Sequence, residues 1–261
     1  MSEVLRVERR DGVATLTLNR PDKRNALDSA LVAALAEQLE ATAHDPEVRV
    51  VCIRGEGPDF CAGADLAELE AIASQGPVES VHDAQRLGDV LRALRAHPRP
   101  VVAVVHGKAL AGGCGLATAC DMVLARDDAR FGYPEVHLGF VPAMVLAILR
   151  RKVGEARAFE LVVRGRRVDA HEAHRLGFVN HVYPAAEFDA AVSGFLTELA
   201  ALPPSALELT KRLFYGVDGV TVDEGIRRGA EVNALARLTE ACRAGVRAFL
   251  DRARGRDGGQ G

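Results

Sequence analysis

Two glycine-bearing turns and one isolated acid carry most of the chemical promise of this sequence. Cys61-Ala62-Gly63-Ala64-Asp65 and Ala111-Gly112-Gly113-Cys114 each place small residues where a helix is expected to begin. The first N–H groups of a helix lack intrahelical acceptors, and the macrodipole adds positive potential there. Close helix packing alone would explain either turn. Two of them, followed by Glu135 among apolar neighbours, suggest a pair of N–H donors converging on one developing oxyanion. An acid beside such a pair could move a proton to or from the carbon that the oxyanion activates.

The elements that must hold these groups can be read from pattern. Residues 4–9 and 13–18 form a hairpin about Asp11-Gly12. Residues 19–27 make a polar loop with adjacent bases, Lys23 and Arg24. Asp28 is set to cap a helix whose apolar face is Leu31, Leu35 and Leu39. A short strand is expected at 48–53, then a loop turning into a helix near Asp65, and a helix at about 78–97. The β-branched run 101–105 reads as a buried strand leading through glycines into a helix that ends near Asp121. Residues 122–125 suggest another strand, and 131–142 a loop of little periodicity. The remainder reads as helical, broken at Gly165, Gly177 and Pro203-Pro204, with one long helix over 223–252 and a frayed tail at 253–261. Strands and helices alternating in this way imply an α/β chain with parallel strand neighbours. No internal repeat and no low-complexity linker stands out.

Composition narrows the class. The 261 residues are 48% hydrophobic and 26% charged with a net charge of −3, ordinary for a globular domain and unlike a dedicated nucleic-acid binder. No apolar run reaches the length of a membrane span, and the N-terminus alternates like a strand rather than a secretion signal. Five cysteines without a CxxC fit a reducing compartment, so a cytoplasmic setting is expected. Several motifs fail on inspection. Gly113-Cys114-Gly115 lacks the third glycine of a dinucleotide fingerprint, and His171-Glu172-Ala173-His174 spaces its histidines i, i+3 rather than i, i+4. No nucleophile elbow is present, and no metal site is expected. The basic run from Arg150 to Arg167 reads as a solvated or inter-subunit surface.

In its motifs the chain resembles the crotonase, or enoyl-CoA hydratase/isomerase, superfamily. The matching pieces are Asn19-Arg20-Pro21 with Asn25-Ala26-Leu27, residues 60–66, His106-Gly107 through Ala111-Gly112-Gly113-Cys114 to Asp121, Tyr133-Pro134-Glu135, and residues 173–180. They cover almost the whole chain in family order. The resemblance implies an α/β fold, a crotonase-like ββα superhelix (spiral) over 1–200 holding CoA and the active site. It also implies a C-terminal helical trimerisation region at 201–261, the trimers often pairing into hexamers. An acyl-CoA thioester substrate is implied, with no cofactor beyond the coenzyme A that is part of it. By position, Ala64 and Gly112 would supply the two N–H groups and Glu135 the catalytic acid. Ala26, Ala62, Asp65 and Leu66 would line the CoA site, and Lys23 and Arg24 would lie near its phosphates.

One departure matters. Well-known hydratases of this superfamily carry a second glutamate shortly after the glycine turn, where this chain has Gly115. With one carboxylate, Glu135 would have to both take and deliver the proton during hydration, or other groups would have to orient the water. The acyl pocket is expected from 68–94 and 137–146, with His137, Phe140, Val141, Met144 and Val145 as its wall. His137, His82 or Arg86 could meet a second carboxylate on the acyl chain. The expectation is therefore an enoyl-CoA hydratase, reversible as a 3-hydroxyacyl-CoA dehydratase, on a branched or carboxylated short acyl group such as 3-methylglutaconyl-CoA. The alternatives are a Δ3,Δ2-enoyl-CoA isomerase using the same acid, and a non-catalytic acyl-CoA or RNA-binding scaffold.

Overall fold

Asp11 and Gly12 both take positive φ (51° and 79°), as a two-residue hairpin turn requires, and join β1 (Leu5–Arg10) to β2 (Val13–Leu18) in antiparallel register. Every other junction in the main sheet is parallel. β3 (Val50–Gly55) pairs with β2, β4 (Val101–Val105) with β3, β6 (Met122–Arg126) with β4, and β9 (His181–Tyr183) with β6. All five residues of β4 are buried, which is why that run is unbroken Val and Ala rather than alternating. A second sheet of β5 (Lys108–Leu110), β7 (Arg130–Gly132) and β8 (Arg167–Asp169) runs beside it. The computed structural model describes residues 3–257. They divide into two units, Met1–Leu199 and Ala200–Gly261.

The first unit is a spiral of ββα turns. β2, a bridge at Leu27 and α1 (Ser29–His44) make one turn. β3, bridges at Cys61 and Ala64, and α2 (Leu66–Ala73) with α3 (Pro77–Ala96) make the next. β4, β5 and α4 (Gly112–Ala119) form the third. In the fourth, β6 and β7 lead to a 3-10 helix (Pro134–Leu138), then α5 (Leu146–Val153) and α6 (Glu155–Arg164). Each turn adds its first strand to the main sheet; the second segments of the third and fourth turns, β5 and β7, pair in the smaller sheet, and those of the first two turns make only single bridges. α7 (Ala170–Leu176) and α8 (Phe188–Ala200) follow. Leu31, Leu35 and Leu39 are buried as their spacing predicts, and the Asp28 carboxylate accepts the Leu31 N–H at 2.8 Å.

The Ala200–Gly261 unit consists of α9 (Pro204–Gly216), α10 (Val222–Leu238) and α11 (Glu240–Asp257). The single long helix expected over 223–252 is thus two. Thr239 leaves the helical region at ψ 146°, and its hydroxyl accepts the Cys242 N–H at 3.2 Å, starting a new helix. The expected tail is helical as far as Asp257, and residues 258–261 lie outside the described residues. No single described helix is long and apolar enough to cross a membrane.

Candidate active site

The second, third and fourth turns of the spiral meet at one cavity of about 440 Å³. The way they meet follows from register. Cys61 N donates to Lys108 O and Leu110 N to Cys61 O, each at 3.0 Å, so residues 61–64 run parallel to 109–112. Extending that pairing sets Gly63 beside Ala111 and Ala64 beside Gly112. A Cβ on Gly63 (φ 110°) would lie 2.8 Å from the Ala111 Cβ, and one on Gly113 would lie 2.3 Å from the Cys61 carbonyl oxygen. Only glycine allows this approach.

The result is two free donors side by side. Leu27 N donates to Gly63 O at 2.7 Å and Asp65 N to Leu27 O at 2.8 Å, which turns the intervening Ala64 N–H away from Leu27. The Gly112 N–H opens α4, where no intrahelical acceptor exists. Neither group donates to a backbone carbonyl among the described residues. The Ala64 nitrogen lies 3.8 Å from where a Gly112 Cβ would stand. Ala111 holds the Ala111–Gly112 peptide at φ 49°, ψ −127°, an unusual conformation for a residue with a side chain. Its own N–H is anchored on Gly132 O at 2.8 Å, which ties the third turn to the fourth. At the other end of α4, Lys152 Nζ donates to Cys120 O at 2.6 Å, and burial lowers that amine to a pKa of about 8.

Glu135 sits in the 3-10 helix just past β7, 7% exposed. Its Oε2 is the one buried side-chain oxygen or nitrogen without a hydrogen bond among the described residues. Burial pushes its carboxyl above the ordinary carboxylate range. It is also the only titratable side chain lining the cavity, whose other walls are aliphatic residues, glycine, proline, Phe140 and Met144. Tyr133, fully buried two residues earlier, shares a 2.7 Å hydrogen bond with Thr118 of α4. This bond links the helix that begins at Gly112 to the segment that carries Glu135.

Ala62, Ala64, Leu66, Gly112, Glu135, Phe140, Val141 and Met144 line the cavity together. Gly115 does too, and a Cβ there would lie 3.5 Å from Val145, so Val145 faces the position of the missing second carboxylate. Lys23, Arg24, Ala26 and Asp65 do not line it. Lys23, Arg24 and Ala26 belong to the neighbouring loop, where Arg24 O accepts the Ala62 N–H at 3.0 Å, and both bases are exposed. Asp65 caps α2 and pairs with Arg20 at 3.0 Å, which holds its carboxyl below the usual range.

His137 requires correction. In the tight helix that turns Glu135 inward, residue 137 faces outward, and its ring packs where a Cβ on Gly165 would stand, 2.6 Å from Nε2. His82 and Arg86 are exposed on α3, Arg86 bound to Asp83 at 3.0 Å, and neither lines the cavity.

Arg20 is a further residue of the site that the sequence motifs do not assign a role. Its guanidinium lies 3.0 Å from both Asp28 and Asp65 and donates to Ala26 O, joining the caps of α1 and α2. The signal was present in an Arg followed by two helix-capping acids. Cys61 and Cys114 lie beside the glycine turns, but burial pushes both thiols up to about 12, which leaves them inert. Among the described residues, no group of three or more His, Cys, Asp or Glu is placed to hold a metal ion. His174 instead engages Val179 O at 2.9 Å.

Known proteins are similar to this chain over nearly its full length. A Thermus thermophilus protein is 40% identical over 240 residues, covering 92% of this chain and 95% of its own. The 2,3-dehydroadipyl-CoA hydratase of Escherichia coli is 35% identical over 253 residues, 97% of each chain. The crystal structure of an enoyl-CoA hydratase from Mycobacterium smegmatis superposes with a TM-score of 0.90 at 34% identity, covering 95% of this chain and 96% of the other. The enoyl-CoA hydratase/isomerase family model matches residues 8–255. With the spiral fold, the paired glycine turns and Glu135 in one cavity, the chain belongs to the enoyl-CoA hydratase/isomerase (crotonase) family.

Proposed function

We propose that the protein is an enoyl-CoA hydratase, a carbon–oxygen lyase running reversibly as a 3-hydroxyacyl-CoA dehydratase. The observation that carries this reading is Glu135 Oε2, buried and unpartnered in an apolar cavity whose wall includes Ala64 and Gly112. The thioester oxygen takes the Ala64 and Gly112 N–H groups, each worth about 3 kcal/mol once the oxygen carries enolate charge. The Glu135 carboxylate accepts a proton from water as the water oxygen bonds to the β-carbon. The resulting carboxylic acid then returns a proton to the α-carbon, and the enolate collapses to the thioester. One molecule of water is added, and Glu135 ends as it began. The chemistry needs no cofactor beyond the CoA of the substrate.

Lys23 and Arg24 serve the CoA phosphates, with Ala26, Ala62, Asp65 and Leu66 along the adenine side. Phe140, Val141 and Met144 take the acyl group. No cation lines the cavity, so an uncharged acyl group suits it better than 3-methylglutaconyl, whose second carboxylate would be desolvated without a partner. A cytoplasmic setting accords with five free cysteines, four of them buried. We expect homotrimers, paired or not into hexamers.

The runner-up is a Δ3,Δ2-enoyl-CoA isomerase, favoured by the single carboxylate opposite Gly115 and Val145, since shuttling one proton between carbons needs only one acid. Incubation with 2-enoyl- and 3-enoyl-CoA thioesters followed by mass spectrometry separates the two. Hydration adds the mass of water and isomerisation adds none. CoA binding without turnover of any thioester would favour a scaffold instead.

A further inference from the structure

Met144 lines two cavities. One is the active-site cavity; the other, about 290 Å³, lies beyond it and is bounded by Gly88, Ala147, Ile148 and the arginines Arg92 and Arg95. Leu91 is the only other residue common to both. The wall that the two cavities share is therefore made by these two side chains, which differ in kind. Leu91 is 5% exposed in the interior of α3, held in the core. Met144 is 36% exposed in the segment before α5, and its unbranched thioether has three rotatable bonds.

Gly88 is a second, independent observation. Glycine inside a helix is destabilising relative to alanine, yet one stands in the middle of the 20-residue α3 at ordinary helical φ. A Cβ there would lie 3.7 Å from Met144 Sδ and 4.0 Å from its Cγ. The absent side chain leaves the Met144 thioether room beside the second cavity.

We propose that Met144 is a movable partition that sets acyl-chain length. Straight-chain enoyl thioesters too long for the first cavity displace the Met144 thioether and run on into the second, where the alkyl stems of Arg92 and Arg95 flank the chain. Gly88 supplies the space that makes the displacement possible. This rests on the acyl-CoA reading above and deepens it by naming the substrate class as medium- to long-chain apolar acyl groups.

The test reads a ratio, kcat/KM for dodecenoyl-CoA over that for crotonyl-CoA, in the wild type and in Met144→Ala, Gly88→Ala and Gly88→Leu. Opening the partition in Met144→Ala is expected to raise the ratio about tenfold, and filling the space in Gly88→Leu to lower it about tenfold, the scale of a methylene or two in an apolar pocket. Gly88→Ala, which adds only a Cβ at contact distance, lowers it less and covers the case in which the leucine variant fails to fold. Ratios within twofold of wild type in all folded variants would overturn the partition. If the wild type turns over no thioester, the catalytic reading fails by itself. The same ratio is then taken from calorimetric Kd values for dodecanoyl-CoA and butyryl-CoA, with the same shifts expected. Failure to bind any acyl-CoA overturns both.

Discussion

Glu135 is a carboxyl kept from water and from hydrogen-bond donors on one of its oxygens, and its raised pKa has two consequences of opposite use. The native state holds this proton more tightly than the unfolded chain does. Its contribution to stability is therefore complete below the unfolded-state pKa and is lost as pH rises through the native one. The proposed chemistry needs the ionised form, so kcat/KM should fall on the acid side with a midpoint above the ordinary carboxylate range. Glu135→Gln should lower kcat about 10²–10⁴-fold with thioester binding largely kept. It should also remove the loss of stability with rising pH that the wild type shows in the same window. Stopped-flow rates and denaturant titrations across pH check both. An unshifted acid limb, or a glutamine variant of wild-type rate, would take Glu135 out of the reaction.

Between elements, the strut from Tyr133 to Thr118 is what fixes Glu135 relative to the Gly112 N–H. Tyr133→Phe leaves the fully buried Thr118 hydroxyl without this partner, at a cost of about 1–3 kcal/mol, whereas adding Thr118→Val should recover much of it. Urea unfolding of the two single variants and the double variant measures this, and strictly additive losses would deny the coupling. Elements of this kind were unevenly legible. The Asp28 cap, the Leu31, Leu35 and Leu39 face and the buried Val run of β4 follow from local pattern, and the structure has them. The 3-10 helix at Pro134–Leu138 stands where the sequence predicts a loop, because five residues carry too little periodicity, and an irregular loop would leave His137 free to reach the pocket wall. A turn of three residues sends 135 and 137 to different sides. β5, at three residues, gives no strand signal of its own before the glycines for the same reason of length.

The spiral itself has no sequence repeat because its turns share topology and not length. The helical part is 8 residues in the third turn, whereas α2 and α3 of the second have 8 and 20. What recurs is the place of function: Ala64, Gly112 and Glu135 each stand at or just past the end of the second strand segment of successive turns. Residue pattern alone groups the two glycine turns with Glu135; the family resemblance adds which N–H groups, those of Ala64 and Gly112, would act as the donors.

The Ala200–Gly261 unit poses a different problem, that of apolar surface without cover. α10 buries none of its 17 residues, although Val222, Ile226, Leu235 and Leu238 lie on it. Phe214 of α9 is 67% exposed beside a groove of about 760 Å³ lined by Leu209, Leu213, Val217 and Ile226. So much exposed aliphatic and aromatic surface is uncommon on a monomer and is what an interface between subunits presents. A second copy of the chain is the occupant that the family resemblance implies, and closed threefold symmetry would use every copy equally. Sedimentation equilibrium should therefore give three chains, or six. Phe214→Glu with Ile226→Glu, both at exposed positions that a monomer would tolerate, should shift the protein toward single chains. A wild type that sediments as a monomer would refute the assembly. A double variant that remains trimeric would move the interface off this face.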